Sequence, residues 1–83
     1  MNKYVYLTIL EYPDGVDFSA YSTEKKALKA LSQTLEKIIQ TEEIEDSPEK
    51  IREEFTDHQK TWFTVYGSYG FSVHGYIRKK EIL

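Results

Sequence analysis

The feature that most constrains this chain is a change of apolar period along its length. Both ends repeat every second residue, and the middle repeats at three- and four-residue steps. A period of two belongs to a strand with one buried face, and the longer spacing belongs to a helix with one buried stripe. A chain carrying both patterns must build a sheet and lay helices against it.

From Lys3 to Glu11, Val5, Leu7 and Ile9 alternate with Tyr4, Tyr6 and Thr8, in residue types that favour strands. The aliphatic set is expected to meet the helices and the tyrosines to face away. Tyr12-Pro13-Asp14-Gly15 supplies turn chemistry, and Val16 to Tyr21 alternates again, so the two runs predict a hairpin. Ser22-Thr23-Glu24 places a hydroxyl cap and then an acid where the first amides of a helix lack partners and its dipole is positive. Ala27, Leu28, Leu31, Leu35, Ile38 and Ile39 then form a stripe, with Lys25, Lys29, Glu36 and Lys37 facing water.

After an acidic break from Gln40 to Asp46, Ser47-Pro48-Glu49 restarts a helix with a serine cap and proline at the first helical position. Ile51, Phe55, His58 and Trp62 share one face, and the helix is expected to end near Gln59 or Lys60. Thr61 to Tyr66 reads as a third strand, with Trp62, Thr64 and Tyr66 on one side and Phe63 and Val65 on the other. Gly67-Ser68-Tyr69-Gly70 forms a turn. Phe71, Val73, Gly75 and Ile77 then alternate with Ser72, His74, Tyr76 and Arg78 in a last strand.

The order β-β-α-α-β-β predicts an α+β fold: a four-stranded antiparallel sheet with both helices on one face. Residues 1–83 make a single domain. A chain this short hides only about 60–65% of the surface its unfolded form exposes, so burying a further apolar patch against a partner or a twin subunit would add stability. Apolar residues at 40% and charged residues at 30% fit a folded chain and exclude a disordered tail. No apolar run approaches the roughly 18 residues of a membrane span, and Met1-Asn2-Lys3 opens no secretory leader, so no membrane association and a cytoplasmic location are expected.

Little in the chain points to catalysis. The absence of cysteine removes disulfides, thiolate nucleophiles and cysteine zinc sites. His58 and His74 are the only imidazoles, and Glu54 four residues before His58 finds no third ligand. The glycines match neither a P-loop nor a dinucleotide fingerprint. No catalytic residue, metal or cofactor is expected, and the chain is read as a non-enzymatic binding protein.

Two surfaces are candidates for binding. If the helices cover one face of the sheet, the other carries tyrosines, a residue type with large contact area at modest entropy cost. Tyr4, Tyr6, Trp62, Tyr66 and Tyr76 are the expected contacts, with a protein partner or a second copy of the chain. The other surface is acidic. Residues 42–57 hold eight carboxylates against Lys50 and Arg52, and Glu49, Glu53, Glu54 and Asp57 lie on the second helix. They form either a solvated helix face or a decoy that meets the basic groove of a nucleic-acid-binding protein. A nucleic-acid or small-ligand module using the aromatic face is the alternative. Overall acidity argues against it, although Arg78, Lys79 and Lys80 end the last strand.

Tyr4-Val5-Tyr6-Leu7, the stretch Phe18-Ser19-Ala20-Tyr21-Ser22-Thr23-Glu24-Lys25-Lys26-Ala27, and the closing Gly75-Tyr76-Ile77-Arg78-Lys79-Lys80-Glu81-Ile82-Leu83 resemble a loose group of small uncharacterised bacterial and phage accessory proteins. The shared residues are caps and core positions. The acidic second helix and the aromatic hairpin after it are more elaborate than that group's pattern. The resemblance implies a setting and no catalytic residues: proteins of this kind bind and block a host protein, including restriction and CRISPR machinery, as an anti-CRISPR-like inhibitor does.

Overall fold

Four strands and two helices follow in the order anticipated. The computed structural model describes residues 3–82; Met1, Asn2 and Leu83, which enter the readings of the amino end and the closing motif, lie outside them. β1 (Lys3–Tyr12) and β2 (Gly15–Tyr21) form the first hairpin. α1 (Glu24–Thr41) and α2 (Pro48–Asp57) follow, then β3 (Trp62–Tyr66), a short 3-10 turn over Ser68–Gly70, and β4 (Ser72–Ile82). The fold is α+β. Its sheet is antiparallel throughout, in the order β2-β1-β4-β3, which puts the two long strands at the centre.

The caps form as their chemistry requires. Thr23 Oγ1 accepts from the Lys26 amide at 3.2 Å, and Ser47 Oγ accepts from the Lys50 amide at the same distance, each satisfying a donor that the first helical turn leaves free. α2 stops at Asp57, two or three residues short of the expected end, because Gln59 and Lys60 take left-handed φ values of 58° and 60°. That reversal, closed by the Lys60 amide on the Phe55 carbonyl at 2.9 Å, swings the chain straight into β3.

Both helices pack on one face of the sheet. Leu31, Leu35 and Ile38 of α1 and Ile51 and Phe55 of α2 meet Phe63, Val65 and Val73 from the strands. Phe55 and Phe63 pack edge to face with centroids 5.7 Å apart. The helices are tied to each other by Arg52, whose Nε and Nη2 donate to the Glu36 carboxylate at 2.9 and 2.8 Å. This pairing holds Glu36 below the ordinary glutamate range, chiefly through the hydrogen bond.

The strand parity of β1 is the reverse of the expected one. Leu10 lies opposite Gly75 and Thr8 opposite Ile77, so Tyr4, Tyr6, Thr8, Leu10 and Tyr12 share the helix side with Val73, Gly75 and Ile77. Val5, Leu7 and Ile9 therefore point away from the helices. The reason is local. A Cβ on Gly75 would lie 2.6 Å from the Phe63 ring and 3.0 Å from Leu10, so Leu10 and Phe63 fill the space the glycine leaves. That fit sets the β1–β4 register, and a one-residue change of register would exchange the faces of the whole strand.

Candidate functional site: an uncovered sheet face

Cross-strand pairs define the surface that no helix covers. In an antiparallel ladder, residues directly opposite project on the same side. Phe18 pairs with Ile9, Ile9 with Tyr76, and Tyr76 with Trp62, which draws one row across all four strands. The neighbouring row runs Ala20, Leu7 and Arg78, and beyond it Val5 pairs with Lys80. Toward the other end, Val16, Glu11, His74 and Thr64 line up.

The face has an aliphatic half and an aromatic half. Val16, Val5, Leu7, Ile9 and Ile82, with the phenyl ring of Phe18 among them, make the first. Phe18 is 71% exposed, the largest value among the apolar side chains of the strands. In the second half His58 stacks on Trp62 with centroids 3.6 Å and planes 13° apart. His74 follows at 6.0 Å from Trp62, and Tyr76 at 5.1 Å from His74. His58 reaches this row from the end of α2 because the left-handed turn at Gln59 and Lys60 brings Trp62 back alongside it.

Polar groups pin the aromatic row. Thr64 Oγ1 and His74 Nδ1 are 2.8 Å apart, and the Tyr76 hydroxyl donates to the Glu11 carboxylate at 2.7 Å. The hydrogen bond to Glu11 pushes the Tyr76 phenol above its ordinary value. Among the described strand residues Glu11 is the one carboxylate on this face, against Lys3, Arg78 and Lys80, so the strands present a cationic excess there even though the chain as a whole is acidic.

Of the expected contacts, Trp62, Tyr66 and Tyr76 share the uncovered face, with Trp62 opposite Tyr76 and Tyr66 opposite Ser72, and the set Trp62, Thr64 and Tyr66 is the outward one in β3. Tyr4 and Tyr6 do not join them. They lie on the helix side, where Lys79 places its ammonium 4.0 Å from the Tyr4 ring centroid and 6.0 Å from that of Tyr6. Glu49, Glu53, Glu54 and Asp57 are exposed on α2, in the helix layer. Only Glu54 approaches the aromatic row, lining a cleft of about 300 Å³ between α2 and β3 with His58, Trp62 and Thr64. The aliphatic half was not anticipated as a surface. Its signal was present in Val16, Phe18 and Ala20, a strand whose pattern stands one hairpin away from Val5, Leu7 and Ile9.

The chemistry available here is burial of apolar area with a few fixed polar contacts. Among the described residues no three histidine, aspartate or glutamate side chains converge to hold a metal, and no helix is long and apolar enough to cross a membrane. Comparison with protein-family models, with curated proteins and with solved structures returns no match for this chain.

Proposed function

We propose that this chain is a non-catalytic binding protein that docks a protein partner on the uncovered face of its sheet and so inhibits or modulates that partner. The observation that carries the reading is the unbroken apolar row Phe18, Ile9, Tyr76, Trp62 across four strands. Large contiguous apolar patches on small chains mark interaction surfaces, and aromatic anchors dominate the energy of the contacts they make. The fitting partner presents an apolar patch with carboxylates at its margin, opposite Arg78 and Lys80. The resemblance to phage accessory proteins supports a host defence or nucleic-acid-handling protein in that role. The carboxylates of α2, on the other layer, are a separate surface that would steer association with a basic partner.

Capture of binding proteins from the native host, followed by calorimetry on the purified partner, tests this. Trp62→Ala and Phe18→Ser should each weaken binding at least tenfold, in line with losses of about 2 kcal/mol at interface anchors. Unchanged affinity in both would remove the reading.

One observation favours a second reading. Arg78 and Lys80 stand on the same face as Trp62, His74 and Tyr76, the combination that holds single-stranded nucleic acid on a sheet. Titration of the Trp62 emission with oligonucleotides separates the two, since the protein-docking reading expects no salt-sensitive quenching.

A further inference from the structure

β2 is an edge strand, and among the described residues its outer side pairs with no other strand. Six of its seven residues are exposed and the seventh is half-buried. The strand holds no lysine, arginine or proline, the residues that usually blunt such an edge. Its sequence is also nearly symmetric in character about the central Phe18. Val16 and Ala20 flank it on the uncovered face, and Asp17 and Ser19 flank it on the helix side.

We infer that the occupant of this edge is a second copy of the chain, paired antiparallel through β2 about a two-fold axis at Phe18. In that register Phe18 meets Phe18 of the partner subunit, and each Val16 meets an Ala20. Each Asp17 meets a Ser19, so the one charge on the strand never opposes its twin. Like charges directly opposite would be unfavourable, and this register avoids them. A slip by two residues in one direction would place Asp17 opposite Asp17, and a slip by two in the other would part the two Phe18 rings and set each against an Ala20. The symmetric pairing closes as an isologous dimer, extends the four-stranded sheet to eight, and joins the two uncovered faces into one surface. Seven residues of strand pairing bury less than the roughly 1,600 Å² of a standard interface, so the dimer dissociates on dilution.

The dimer uses the strand edge and leaves Trp62 and Tyr76 free; Phe18 serves both contacts, so Trp62→Ala, which should weaken partner docking and leave the dimer intact, tells the two apart. Sedimentation of the full chain over a wide concentration range should show a shift from 9.8 kDa toward twice that mass. The chain's lack of cysteine makes the register testable. A mixture of the Val16→Cys and Ala20→Cys variants should form a disulfide-linked dimer under mild oxidation, several-fold faster than either variant alone, since only the mixed pair comes into disulfide range. Val16→Lys, which keeps an exposed position exposed, should return the mass to monomer with an unchanged circular dichroism spectrum. A wild-type monomer at the highest concentration reached overturns the inference. So does a dimer in which the mixed variants cross-link no faster than each alone, which would place the contact elsewhere.

Discussion

Trp62 lies directly opposite Tyr76 across the β3–β4 ladder, on the side of the sheet that carries no helix. The indole is 40% exposed yet stacked on His58, so it is held in place while remaining open to a partner. Rigid aromatic groups lose little freedom on binding, which is what an anchor in an interface needs.

That stacking leads to the first expectation. The chain has one tryptophan, so its fluorescence reports this site alone. His58→Ala should lower the steady-state anisotropy of Trp62 and cost roughly 0.5–1.5 kcal/mol, the usual worth of an aromatic pair beyond its area. Unchanged anisotropy would mean that the backbone, and not the imidazole, orients the indole.

The two faces of the molecule should respond very differently to loss of a phenyl ring. Phe55 is 4% exposed between α2 and Phe63, and Phe55→Ala should cost about 3–5 kcal/mol in urea unfolding. Phe18 is largely in water, and Phe18→Ala at concentrations where the chain is monomeric should stay within about 0.5 kcal/mol of the wild type. Comparable losses at both positions would show that the β2 side chain is covered in solution.

Glycine at position 75 is required by space. Gly75→Ala drives a methyl group against the Phe63 ring, itself 2% exposed and unable to move outward, and should destabilise by about 1–3 kcal/mol. Nothing lies within 4 Å of a Cβ built on Gly15, so Gly15→Ala should be close to neutral by the same urea measurement.

The Glu36–Arg52 pair predicts a pH dependence. Because folding lowers the Glu36 pKa, the pair's contribution is complete above the ordinary glutamate range and is lost as pH falls through the lower folded value. The gap in urea midpoint between wild type and Glu36→Gln should therefore narrow in acid. Both side chains are substantially exposed, so the gap at neutral pH should be a small fraction of that seen for Phe55→Ala. A gap that stays constant into strong acid would contradict the pairing.

Most of the scaffold was legible from local signals. Thr23 and Ser47 start their helices, Pro48 takes the first turn, and the apolar stripe of α1 is buried at Ala27, Leu31, Leu35 and Ile38. These are short-range effects that a single stretch of chain contains. The faces of β1 were not legible, because both of its stripes are apolar enough to be buried and aliphatic character favours the wrong one. The choice depends on Gly75 and Phe63, more than fifty residues away, and pairing register is a property of two strands together. Trp62, Tyr66 and Tyr76 consequently face the open side, while Val5, Leu7 and Ile9 take the place expected for Tyr4 and Tyr6.

Methyl resonances of the labelled chain, followed as the captured partner is titrated in, test the docking surface most directly. The methyls of Val5, Leu7, Ile9 and Val16 should shift together with the indole signal of Trp62, while those of Ile39 and Leu28 on α1 stay still. Shifts confined to the helix layer, with the sheet methyls unmoved at saturation, would contradict it.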